Sequence, residues 1–170
     1  MYFLGKDTVA CFYSDNDPAM ISACQELGIN REGSEPFMHE TNGIIESFNA
    51  QFNAGVRGLL CEAGFPTKFW PLAGACWTFL TNVKQKAREG YPFEEGTRWA
   101  ARHGEEFKGL FVPFGALVQY IPPAERIATA KADPTMRYGV FVGYRLKPGA
   151  YWKGEYLVLD ISFLLTRICP

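Results

Sequence analysis

Residues 9–28 read VACFYSDNDPAMISACQELG, and this stretch decides the fold class. Val9 to Tyr13 is a short apolar run, which predicts a buried strand. It ends at Ser14-Asp15-Asn16, polar residues suited to a strand-end loop. Asp17-Pro18 then reads as a helix N-cap followed by proline at the first helical position. Met20, Ile21, Cys24 and Leu27 recur at helical spacing, and Gly28 fits the left-handed stop that closes a helix. Residues 29–33 predict a second short strand. A strand, a helix and a strand in that order point to an α/β arrangement.

Working outward, residues 33–42 carry Gly, Ser, Pro, His, Thr and Asn without a period and predict a loop. Gly43 to Ala63 is the clearest helix, because Ile45, Phe48, Phe52, Val56, Leu59 and Ala63 line one face. Gly64 and Pro66 end it. A third helix begins near Thr67, an N-cap candidate, and ends near Gly90-Tyr91-Pro92. From Phe107 the pattern becomes β-branched and aromatic: Phe111 to Ile121, Arg137 to Arg145 and Tyr151 to Phe163 are bounded by Gly and Pro. Residues 122–136 predict a long loop. The expected organisation is a piece with short strands and three helices over residues 1–90, a linker over 91–106 and a small β-rich, barrel-like module over 107–170. The fold class is α/β (α+β), short strands and three helices followed by a small β-rich module.

Composition narrows the function. Apolar residues make up 48% and charged residues 21%, which suits a globular chain and argues against disorder. The net charge of -1 gives no general basic excess, so any contact with nucleic acid must rest on local placement of charge. The five cysteines (Cys11, Cys24, Cys61, Cys76 and Cys169) include no CxxC pair, and His39 and His103 are isolated, so zinc is not expected. Cys24, Cys61 and Cys76 fall on apolar helix faces, where a free thiol behaves as a small hydrophobe. The first residues lack a basic region followed by an apolar stretch, and no run of about 18 apolar residues exists. The expected setting is intracellular, nuclear or cytoplasmic, with no membrane partner.

Two carboxylates stand out by position. Asp15 follows a strand, and Glu46 lies in the first turn of the long helix. Singly, an Asp there is a cap and a Glu there complements the helix dipole. Their surroundings add more. The order Ser14-Asp15-Asn16, Gly28-Ile29, Ser34-x-Pro36-Phe37, Asn42-Gly43 and Glu46 resembles the second half of the integrase catalytic core of retroviruses and copia-type retrotransposons. Gly64-Phe65-Pro66, Phe69-Trp70, Ala73, Asn82, Pro113-Phe114-Gly115 and Gly139-Val-Phe-Val-Gly143-Tyr144 continue the resemblance in register, from residue 12 to about 160. It implies a partial ribonuclease H-like core, with Asp15 and Glu46 as two of three carboxylates that hold Mg2+ or Mn2+. The third is expected on a strand upstream of Met1. Metal ions ~3.5–4 Å apart would clamp the attacking and leaving oxygens of a phosphodiester, and they prefer hard oxygen ligands. An exposed strand edge or apolar face is then expected near Val9–Tyr13.

The resemblance implies DNA as partner and a possible homo-oligomer. On the long helix, Asn49, Ala50, Asn53 and Arg57 fall within about 60° of Glu46 at 100° per residue, a strip that is either DNA-facing or plainly solvated. The candidate nucleic-acid contacts are Asn16, Asn42, Asn49, Asn53, Arg57, Lys68, Lys84, Lys86 and Arg88. The sequence also departs from the family pattern. Between Asp15 and Glu46 there are 30 residues, fewer than is usual. His39-Glu40 replaces Pro-Gln, Ser47 replaces Arg, and Asp17 stands where Gly or Ala is common. These changes remove positive charge or add negative charge along the DNA path, so little or no activity is expected from this stretch alone. His39 as a general base is the weaker alternative to a plain loop residue. The tail aromatics (Phe111, Phe114, Tyr120, Tyr138, Phe141, Tyr144, Tyr151, Trp152, Tyr156) suit a core better than base stacking. The alternatives are a non-catalytic remnant that binds nucleic acid or protein, and an α+β domain without a nucleic-acid role.

Overall fold

The computed structural model describes residues 9–14, 16–33, 43–86, 96–122 and 135–162. They form a mixed α+β chain of four helices and two small sheets. Residues 1–51 with 147–151 make one compact unit, and 52–146 with 152–170 make the other.

The first unit contains the strand, helix and strand of the deciding stretch. β1 (Phe12–Ser14) runs parallel to β2 (Arg31–Gly33), with Phe12 opposite Arg31 and Ser14 opposite Gly33. The strand lies later than the apolar run Val9–Tyr13 suggested. Between the strands, α1 spans Pro18–Leu27. Its cap works as expected: the Asp17 carboxylate accepts from the Ala19 N–H at 2.7 Å. At the other end Gly28 takes φ 63°, and its N–H and that of Ile29 donate to the Gln25 and Cys24 carbonyls. That pair of bonds is the Schellman closure that glycine allows at low cost. Among the described residues of this unit, Cys24 is the one buried hydrophobic side chain, while Tyr13, Met20, Leu27, Ile45 and Phe48 are exposed. An exposed apolar side chain thus stands at Tyr13, and others stand on α1 and at the start of the long helix.

That helix, α2, spans Gly43–Ala63 as the periodicity predicted. Its apolar stripe behaves differently at its two ends. Ile45 and Phe48 are exposed, whereas Val56 and Leu60 are buried in the second unit. A 3-10 turn at Thr67–Phe69 leads into α3 (Trp70–Lys84). Thr67 is not the cap: Pro66 holds that position, with no side-chain hydrogen bond. The helix also stops at Lys84, short of Gly90, because Gln85 turns extended. Residues 98–103, expected in a linker, form a helix instead. α4 (Arg98–His103) is capped by the Thr97 hydroxyl, which accepts from the Ala100 N–H, and is closed by Gly104 at φ 78°. Its brevity hid it; one turn and a half carries no readable period.

β3 (Leu117–Tyr120), β4 (Arg137–Lys147) and β5 (Tyr151–Asp160) form a sheet in that order, with β3 antiparallel to β4. The described strands make an open three-stranded sheet, not a barrel. The run from Phe111 does not become strand at once. Pro113 lacks an N–H, and the chain turns through Gly115 at φ 84° before β3 begins. β4 is the central strand, and Phe141, Val142 and Tyr144 are all buried. The core joins Val56 and Leu60 of α2, Ala73, Cys76, Phe79 and Val83 of α3, Trp99 of α4 and these sheet residues. Phe79 is its hub: its ring stacks on Tyr144 at 4.1 Å and meets Trp99 and Phe107 edge-on at 5.6 and 5.2 Å. Of the tail aromatics, Phe114, Phe141 and Tyr144 are core, Tyr120, Trp152 and Tyr156 are half-buried, and Phe111, Tyr138 and Tyr151 are exposed. No helix among the described residues is long and apolar enough to cross a membrane.

Candidate functional site

The carboxyl end of β1 is where a ligand of a parallel sheet is expected, because side chains and backbone N–H groups converge there. Ser14 ends that strand, and Asn16 follows two residues later. Asp15 between them lies outside the described residues, as do Asn42, Arg88, His39 and Cys169. A cation that the sequence did not single out organises this end. The Arg31 guanidinium donates to the Ser14 hydroxyl at 2.9 Å, to the Ser14 carbonyl at 3.4 Å and to the Asn16 side-chain oxygen at 2.9 Å. Arg31 thus ties both neighbours of position 15 to the adjacent strand. Charged donors in a fixed fork make such contacts geometrically strict. A Cβ at Gly33 would meet the Asn16 side-chain oxygen, which would have to shift to admit it. The only hint in the sequence was a basic residue inside an otherwise short strand.

Glu46 sits in the first turn of α2, exposed, where its charge complements the helix dipole. Asn49 is exposed on the same helix. In the second unit Asn53, Arg57, Lys68, Lys84 and Lys86 are all exposed. Arg57 folds back along its helix and donates to the Asn53 carbonyl at 3.1 Å. Lys68 lies over the ring of Phe69 at 5.7 Å, and Lys84 over that of Phe111 at 5.3 Å. Glu46 and Asp15 are carboxylates, the donor type that a hard divalent cation takes. Among the described residues, no three His, Cys, Asp or Glu side chains gather as a metal-binding group.

The thiols divide by burial. Cys24 and Cys76 are buried, and Cys11 and Cys61 are exposed. Cys61 therefore does not share the core-facing role that the sequence suggested; its neighbour Leu60 takes it. Burial pushes the Cys76 thiol up to about 11, opposed by the nearby Lys84 charge. Because the thiolate is the nucleophile, Cys76 is expected to resist iodoacetamide in the native chain at pH 8. Cys61, which is exposed, should be alkylated well before it. Residue-resolved mass spectrometry after timed alkylation checks this, and equal labelling of the two would contradict the burial of Cys76.

Comparison with known proteins finds no matching family model, no similar curated protein and no similar solved structure.

Proposed function

We propose that the chain is part of an integrase-type DNA-processing module, with Asp15 and Glu46 as two of its three metal-binding carboxylates. The observation that carries this reading is the parallel β1–α1–β2 unit, whose first strand ends directly before Asp15. Arg31 holds the residues on both sides of that position. The order of motifs from Ser14 to Tyr144 supports the same assignment. When bound, the ions would polarise the phosphodiester and stabilise the oxygens entering and leaving phosphorus. This chain's own part is to supply Asp15 next in sequence after β1 and Glu46 in the first turn of α2, and to leave Glu46 open to solvent. Within residues 1–170 the motif order assigns Asp15 and Glu46 of the three. The exposed apolar side chains Tyr13, Met20, Leu27, Ile45 and Phe48 accord with a core piece that lacks neighbouring strands.

By itself the module is therefore a DNA-binding piece with a silent site. The purified chain is expected to bind duplex DNA with an affinity that falls steeply with salt. It is expected to nick supercoiled DNA in Mg2+ or Mn2+ no faster than its Glu46→Gln variant. No measurable affinity at low salt would remove the DNA reading. Nicking that Glu46→Gln abolishes would show that the site is not silent. The second reading is a non-catalytic remnant that serves only to bind nucleic acid or protein and has no metal site to complete, favoured by the exposed lysines Lys68, Lys84 and Lys86 of the second unit.

A further inference from the structure

In the parallel pair of the first unit, Phe12 stands opposite Arg31 and Ser14 opposite Gly33. Side chains alternate along a strand, and partners in register share a face. Phe12, Ser14 and Arg31 therefore lie on one face of the pair and are half-buried, whereas Tyr13 and Glu32 on the other face are exposed. Gly33 falls on the first face and carries no side chain. The path from Arg31 toward the strand ends is thus open, and the guanidinium takes it. Its two terminal nitrogens lie 3.3 and 3.4 Å from the place a Gly33 Cβ would occupy. From there Nε donates to the Ser14 hydroxyl and Nη2 to the Asn16 side-chain oxygen, both at 2.9 Å.

The two residues so held are the immediate neighbours of position 15. A planar fork that binds both at once fixes the two ends between which that position lies, which a single-point cation could not do. By charge alone Arg31 would hinder a metal ion there, because like charges repel. Three of its bonds, however, go to neutral acceptors: the hydroxyl and carbonyl of Ser14 and the amide oxygen of Asn16. They act on the chain's geometry, and a metal ligand whose supporting groups are already fixed costs less to order on binding.

We infer that Arg31, passing over Gly33, is the positioning residue for the Asp15 carboxylate and holds the strand end in the form that receives a divalent cation. The inference rests on the reading of Asp15 as a metal ligand. Mn2+ alone is the probe, titrated into the isotope-labelled full chain, with paramagnetic broadening of the backbone amide signals as the readout. The Ser14 and Asn16 amides are expected to broaden in the native chain and much less in Asp15→Asn. Arg31→Gln should raise the Mn2+ concentration for half-broadening about 10- to 100-fold, as loss of a group supporting a metal ligand does. Arg31→Lys should do the same, since it keeps the charge and loses the fork. Gly33→Ala should act in the same direction with every charge in place, because the new methyl displaces the Asn16 oxygen. Removal of a mere neighbouring charge would work the other way and tighten binding. Asp15-dependent broadening that Arg31→Gln leaves unchanged or strengthens, or that Arg31→Lys preserves, with circular dichroism unchanged, would overturn the inference and spare the metal-site reading. No broadening, or broadening indifferent to Asp15→Asn, would sink the metal-site reading itself and the inference with it.

Discussion

Phe141→Ala is expected to lower the unfolding free energy of the second unit by about 3–5 kcal/mol, as large-to-small changes of a buried Phe do. Phe141 is 1% exposed and stands on the central strand. Its ring meets Tyr144 and Tyr156 edge-on at 5.2 and 6.1 Å. Its carbonyl accepts from Gly115 and its N–H donates to Ala116, so the backbone there is held and cannot collapse readily into the void. A cavity that stays open carries its full cost on top of the lost transfer energy. Urea denaturation followed by tryptophan emission reads this directly, because Trp70, Trp77, Trp99 and Trp152 all lie in the second unit. The midpoint should fall with the slope unchanged. Tyr138→Ala, on the same strand but 55% exposed, should cost under about 1 kcal/mol. Comparable losses from the two variants would mean that the core has been misplaced.

The second large effect is at Gly115. Its φ of 84° is unfavourable for any residue with a Cβ, and most so for a β-branched one. A Cβ there would also meet the Cβ of Ala63 and come within 3.0 Å of its Cα, which is helix backbone and not a movable side-chain tip. Gly115→Val is therefore expected to combine a conformational penalty of about 1–2 kcal/mol with an overpacking penalty of about 1–3 kcal/mol. Gly104 provides the matched control. It has φ 78°, but nothing lies within 4 Å of the place a Cβ would take. Gly104→Ala should show the conformational part alone, about 1 kcal/mol. Thermal unfolding of the pair separates the two causes, and equal shifts would show that the Ala63 contact is not felt.

How much of this was legible in the sequence differs from element to element. α1 was readable to within a residue because its ends carry their own chemistry: an Asp-Pro start and a Gly stop act through local hydrogen bonds that need no tertiary partner. α2 was readable from its period, but the period did not say which part of the stripe finds a cover. Ile45 and Val56 look alike in sequence, and one is exposed while the other is 4% exposed. Burial depends on residues remote in the chain. α4 went unread for want of length, and the turn at Pro113–Gly115 was absorbed into a strand because aromatic content outweighed a single Pro-Phe-Gly signal. At the candidate site, residue types and order proposed Asp15 and Glu46. They could not give Arg31, whose part depends on the parallel register that sets it opposite Phe12.

The close approach of Gly115 to Ala63, and of Gly143 to Cys76 at 3.6 Å from a Cβ position, has a consequence for the order of assembly. The inner faces of α2 and α3 are covered by residues far later in the chain. On a ribosome adding roughly 5–20 residues per second, both helices emerge seconds before the strand that shields them. Closing such distant contacts is entropically slow compared with coiling a helix. The nascent chain thus passes through an interval with two amphipathic helices made and no sheet to receive them, the interval in which a chaperone would find most to hold.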